Sequence, residues 1–268
     1  MRQLLGYNTL PSSIRQQIDK IVSVWQDHLG DALTGVYLHG SIVLNAFNPD
    51  SGDLDLLIVV RDPLSAEKRL AIAKDIIALD DAPRPVEMSA LTEADAKAWK
   101  NPGNCVFHYS DFWTERYKAR FADPEKEVYV VDHDFPDADV TSYIRLLHQC
   151  GIVLYGKTIA EVFAPVSDED FWQAITADVD DYDFHHYEPR YLTSNILILG
   201  RILSFKVCHR ILSKYEAGQW MEDYVPDTLK HIPRCAMKVW FDGETQDFPE
   251  DDLAQLKDFL LAEIRKQS

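Results

Sequence analysis

The chain has 268 residues, of which 46% are hydrophobic and 26% charged, so it is long enough for two domains with cores of their own and ordinary in composition for a soluble globular protein. Lys+Arg 27 against Asp+Glu 44 gives a net charge of −17, the reverse of the basic footprint of a nucleic-acid binder. Such acidity keeps a protein soluble and attracts cationic small molecules. Cys105, Cys150, Cys208 and Cys235 lack Cys-x-x-Cys spacing, which argues against a zinc or redox motif. No stretch approaches the roughly eighteen uninterrupted apolar residues of a membrane span. The opening MRQLLGYNTLPSSIRQQ lacks the apolar region of a signal peptide. No membrane partner and a reduced, cytoplasmic setting are therefore expected.

In chain order, Ile14, Ile18, Ile21, Val22 and Trp25 keep helical spacing after Pro11, with Ser12 or Ser13 as cap. Leu33 to Leu38 reads as a strand and Ser41 to Phe47 as a short helix. Asp53 to Val60 reads as a strand buried on both faces, because its apolar run has no polar alternation. Ser65 caps a helix to about Leu79, and Val86 to Leu91 is a third strand. Strand, helix, strand forms a crossover that sets the third strand beside the second. Thr92 caps a short segment to Trp99, Val106 to Tyr109 is a further strand, Phe112 to Phe121 is helical, and Val128 to Val131 is a short strand. Beyond Asp137 the texture becomes helical: Val140 to Cys150, Asp168 to Val179, Pro189 toward Ile211, Pro226 to Val239 and Pro249 to Lys266. Ile152 to Gly156 reads as an apolar connection. The expected architecture is an α/β domain over 1–134, with a small mixed sheet and helices, followed by an all-α helical bundle over 135–268.

The residues that carry chemistry cluster around the second strand. Asp53 and Asp55 stand at i and i+2, so both leave the same face while Leu54 and Leu56 enter the core. Two like charges held side by side are best tolerated with a cation between them. Carboxylates of this kind hold Mg²⁺ together with substrate phosphates. The small-residue turn Gly40-Ser41 ahead of them offers backbone N–H groups and a hydroxyl to a phosphate. Glu87, between Val86 and Met88 in the neighbouring strand, is either a third metal ligand or the general base for an attacking hydroxyl.

Gly40-Ser41, Asp53-x-Asp55 and Glu87 together resemble the nucleotidyltransferase signature of the polymerase-β-like superfamily. His39-Gly40-Ser41, Asp139, the segment from Gly151 to Lys157, Asn195, Arg201 and the segment from Ser213 to Trp220 are similar to the bacterial aminoglycoside (3'')(9) adenylyltransferases, the streptomycin and spectinomycin adenylyltransferases. The resemblance covers nearly the whole chain. It implies an N-terminal nucleotidyltransferase domain and an enzyme that uses ATP and Mg²⁺ to move AMP onto a hydroxyl of a cationic antibiotic. It assigns the metals to Asp53 and Asp55, the base to Glu87 and the triphosphate to Gly40 and Ser41. Asp139, Arg201 and Lys214 complete the nucleotide site, and Trp113 with Glu87 lies at the antibiotic. Arg201 and Lys214 are thirteen residues apart. At about 100° per residue they point to different sides of one helix, so the helix must end between them, near Ser213, if both reach one triphosphate.

The chain departs from the family pattern at named places. Tyr191 and Ser194 stand where dual-specificity members carry Asp and His for the antibiotic, Gly52 replaces a Ser, and Trp240 replaces a nucleotide-associated Tyr, where it can still stack on a base. These changes leave the chemistry in place, count against streptomycin as acceptor, and leave open a narrower, spectinomycin-leaning specificity or another amino-hydroxylated substrate. Asp178, Asp180, Asp181 and Asp183 form an acidic run, for most of which a solvated loop is the simpler reading. His185-His186 lacks a second ligand pair and is not expected to bind zinc. A monomer without nucleic-acid partners is expected. The competing readings are a nucleotidyltransferase acting on RNA or protein and a nucleotide-binding module without catalysis.

Overall fold

The computed structural model describes residues 3–184 and 188–266. They gather into two compact units, Leu5–Ala174 and the chain from Ile175 onward.

In the first unit, α1 (Ser12–Leu29) buries Ile14, Ile18, Ile21 and Trp25, a single stripe at helical spacing. Its cap is Pro11 and no side chain closes it, so Ser12 is the first helical residue rather than the cap. β1 (Leu33–Leu38) leads to α2 (Gly40–Val43), which stops well before Phe47. Asn45 turns left-handed there, and Phe47 pairs instead with Leu5. β2 (Leu54–Val60) is buried from Leu56 onward, as its unbroken apolar run requires. The Ser65 hydroxyl accepts from the Lys68 N–H to start α3 (Ala66–Ile77), which crosses over to β3 (Val86–Thr92). Thr92 caps α4 (Glu93–Lys97) in the same way. β4 (Gly103–Cys105), β5 (Phe107–Tyr109) and α5 (Asp111–Ala122) follow.

Val128 to Val131 is not a strand but lies in a short helix, α6 (Val128–Asp132). Four apolar residues fit either period, and tertiary packing decides. β6 (Phe135–Asp137) pairs with β4 outside the main sheet. After α7 (Asp139–Cys150) comes the largest correction. Ile152–Gly156 is not a connection but β7, which joins the main sheet beside β1. Gly156 sits at φ +86, where a Cβ would come within 2.1 Å of the Thr34 carbonyl oxygen. β7 is a half-exposed edge strand whose partner lies more than a hundred residues earlier, so no local alternation announces it. The sheet order is β5-β3-β2-β1-β7, with β2 and β3 parallel and the remaining pairs antiparallel. Because β7 completes this sheet, the α/β unit does not end at Asp134 but continues through α8 (Ile159–Val162) into α9 (Asp168–Thr176).

The second unit is helical. α10 (Pro189–Cys208) buries Leu192, Ile196, Leu199, Ile202 and Leu203. By length and composition it is apolar enough to cross a bilayer, but Asn195, Arg201 and Lys206 interrupt its apolar run, as expected of a chain without roughly eighteen uninterrupted apolar residues. Most of that surface is covered by protein: α10 packs against α11 (Lys214–Tyr224), α12 (His231–Met237) and α13 (Glu250–Arg265). The stretch expected as one helix from Pro226 to Val239 is a 3₁₀ turn at Asp227–Leu229, then α12, then a π turn at Lys238–Asp242.

Trp25 is fully buried, meets Phe107 edge-on at 5.3 Å, and its indole N–H has no partner among the described residues. Trp25→Ala is expected to cost about 3–5 kcal/mol in urea unfolding. Trp25→Phe, which also removes the unpaired N–H, should cost far less.

Candidate active site

Strand pairing assembles the acidic cluster. Asp53 immediately precedes β2 and Asp55 is its second residue, with Leu54 and Leu56 fully buried on the opposite face. In the parallel register Asp55 lies opposite Glu87 of β3. Carboxylate oxygens of Asp53, Asp55 and Glu87 consequently lie within 4.8 Å of one another. Asp53 is exposed and the other two are half-buried. Burial, then the Asp53 charge, pushes the Glu87 carboxyl up to about 7, with smaller contributions from Asp139 and Asp137; the Tyr143 hydroxyl acts in the other direction. Hard oxygen ligands converging in this way suit Mg²⁺.

The turn ahead of β2 is shaped around the same cluster. Gly40 sits at φ +70, and a Cβ there would lie 1.7 Å from Asp55 Oδ2, so only glycine leaves room for that carboxylate. The His39 N–H donates to the Asp55 carbonyl at 3.0 Å. Among the described residues, the buried Ser41 Oγ and His39 Nε2 have no hydrogen-bond partner. Buried polar atoms are rarely left so, and an orphaned hydroxyl one residue beyond Gly40, which abuts Asp55, fits a ligand carrying phosphate and metal. Burial holds the His39 ring neutral, with its pKa down at about 3.

Asp139 opens α7, its N–H bonded to Asp137 Oδ1 at 2.9 Å, and its charge is felt at Glu87 and Tyr143. Trp113 is half-buried in an aromatic group: 5.0 Å from the His108 ring and stacked on Phe135 at 5.5 Å. His108 bonds the hydroxyl of Ser89, which shares a face of β3 with Glu87. The neighbouring Phe112 is 85% exposed.

The helical unit holds the remaining expected residues. α10 ends at Cys208 and Ser213 caps α11 through a reciprocal pair with Glu216, so the break expected between Arg201 and Lys214 is present. Arg201 Nε donates to the Leu212 carbonyl at 2.9 Å. Lys214 Nζ donates to Ser194 Oγ at 2.9 Å and stands 3.9 Å from the centre of the Trp240 ring. The Arg190 guanidinium lies 4.4 Å from the same ring. Two cations against one indole form a small electropositive surface within an acidic chain. Tyr191, 47% exposed, follows Arg190 at the start of α10. Within the acidic run, Asp180 pairs with Arg265 and the Asp183 carbonyl accepts from Asn195. His185-His186 lies outside the described residues.

Sequence reasoning missed Tyr143 and Arg190 as members of these clusters. Tyr143 stands four residues after Asp139 in α7, a same-face spacing that was available as a signal.

Residues 18–119 match the nucleotidyltransferase domain, and residues 161–264 match the aminoglycoside adenylyltransferase C-terminal domain. The aminoglycoside (3'')(9) adenylyltransferase of Escherichia coli is 22% identical over 255 residues, which span 93% of each chain. The spectinomycin 9-adenylyltransferase of Campylobacter jejuni is 28% identical over 264 residues, 94% of this chain and 95% of its own. Among solved structures, the spectinomycin adenylyltransferase AAD(9) of Enterococcus faecalis, crystallised with ATP and spectinomycin, superposes with a TM-score of 0.80 at 20% identity. That match covers 94% of this chain and 99% of the other, and at this identity it speaks for the fold. With a nucleotidyltransferase domain followed by an aminoglycoside adenylyltransferase C-terminal domain, and alignment over nearly the full length of these relatives, the chain belongs to the aminoglycoside adenylyltransferase family.

Proposed function

We propose that this enzyme transfers AMP from ATP to a hydroxyl of a cationic aminoglycoside or aminocyclitol antibiotic, spectinomycin or streptomycin, and releases pyrophosphate. The observation that carries the reading is the convergence of Asp53, Asp55 and Glu87 within 4.8 Å beside the glycine-serine turn. In this reading Asp53 and Asp55 hold Mg²⁺, which when bound offsets the charge of the phosphates and of the attacking oxygen. Gly40 and Ser41 receive the triphosphate. Glu87 takes the acceptor's proton as its oxygen bonds to the α-phosphorus and the bond to pyrophosphate breaks.

Asp139, Arg201, Lys214 and Trp240 serve the nucleotide. Arg201 and Lys214 supply the cationic complement that phosphoryl transfer needs. Trp113 and Tyr191 serve the acceptor, and the net charge of −17 favours a polycationic one over RNA. Dependence on ATP places the reaction in the cytoplasm.

The test is pyrophosphate release from ATP. It should require Mg²⁺ and antibiotic together, and silence with both spectinomycin and streptomycin would overturn the acceptor assignment. Resistance of a sensitive bacterium expressing the chain, scored on each antibiotic, then separates the two acceptors.

A further inference from the structure

We propose that Tyr143 is the positioning residue for Glu87: its hydroxyl claims Oε1 and leaves Oε2 to receive the acceptor's proton. The inference rests on the adenylyltransferase reading. Tyr143 and Asp139 share a face of α7, one turn apart. The Tyr143 hydroxyl donates to Glu87 Oε1 at 3.1 Å. A phenol O–H bonded to one carboxylate oxygen makes two otherwise equivalent oxygens different. Without that bond, repulsion from the Asp53 charge would favour turning Glu87 away from the cluster.

The phenol is itself held. Its ring stacks on the buried His39 ring at 4.4 Å with 26° between the planes. The backbone N–H of His39 donates to the Asp55 carbonyl. A short chain of contacts thus runs from the backbone carbonyl of Asp55 in β2 through His39 and Tyr143 to the Glu87 carboxylate of β3. During transfer the acceptor's proton passes to Glu87 Oε2, the new bond to phosphorus forms and pyrophosphate departs, while Tyr143 keeps its own proton throughout.

Tyr143→Phe removes one oxygen and leaves the ring against His39. With ATP, Mg²⁺ and the antibiotic that the wild type accepts, kcat is expected to fall by about 10- to 100-fold, with both KM values changed by less than about threefold. In a Glu87→Gln background, the same substitution should leave the residual single-turnover rate unchanged, because no base remains to be positioned. A purely structural role would instead lower the rate by the same factor in both backgrounds. Equal factors, or a wild-type kcat in Tyr143→Phe, would overturn the inference while leaving the adenylyltransferase reading intact. A wild-type protein silent with both antibiotics overturns that reading and the inference with it. Urea unfolding of the two single variants and the double variant checks the contact without turnover: coupling between them is expected, and strict additivity counts against the proposal.

Discussion

Glu87→Gln is expected to lower the rate of AMP transfer by about 10²- to 10⁴-fold, the usual contribution of a positioned general base. Gln keeps the volume of the side chain and can still accept from the Tyr143 hydroxyl, so the fold and ATP affinity should be retained. Equilibrium ATP binding measured beside single-turnover transfer separates the two effects, and a variant with full activity would remove Glu87 as the base. The same substitution has a consequence for the metal-free protein. Burial and the Asp53 charge raise the folded-state pKa of Glu87 from 4.5 to about 7. A carboxyl whose folded pKa is raised binds its proton more tightly in the native state. Its contribution to stability is therefore complete below pH 4.5 and is lost as pH rises through about 7. In EDTA, the wild-type Tm should decline across that window more steeply than that of Glu87→Gln.

Gly40→Ala is the second substitution with a large expected effect, although it removes no functional group. An L-residue at φ +70 costs about 1–2 kcal/mol in backbone strain alone. The added Cβ would also lie 1.7 Å from Asp55 Oδ2 and 2.4 Å from its Cγ, so the carboxylate must swing aside. A displacement of about 1 Å in such a constellation costs on the order of 10²-fold in rate. The predicted phenotype is a folded protein, by circular dichroism, with transfer reduced by that factor and a raised Mg²⁺ requirement. Ser41→Ala is the control: it removes a hydroxyl without moving Asp55 and should affect ATP binding more than the metal requirement. An unchanged Mg²⁺ dependence in Gly40→Ala would show that Asp55 is not a ligand.

Much of the site was legible because its signals are local. Asp53 and Asp55 announce themselves through the two-residue period of a strand, and the buried run from Leu56 to Val60 fixes which way they face. The helix break before Lys214 was expected from the thirteen-residue spacing of Arg201 and Lys214, and the Ser213–Glu216 capping pair found there is a further local signal, a relation across three residues. Short segments failed for the complementary reason. Val128 to Val131 and Ile152 to Gly156 contain too few apolar residues to establish a period, and what they pack against determines their state. The boundary expected after Asp134 failed with them, because a strand read as a connection could not be credited to the sheet.

By itself the sequence determined the α/β and helical order of the chain, the paired aspartates, the glycine-serine turn and the candidate base. Each of these is written in residue type and short-range spacing. Only the tertiary structure decided that Glu87 stands opposite Asp55, that the Tyr143 hydroxyl, its ring stacked on His39, reaches Glu87, and that Ser194, Arg190 and Trp240 gather around Lys214. Strand register and side-chain contacts between distant elements depend on how the whole core closes, and no single stretch of chain encodes that closure.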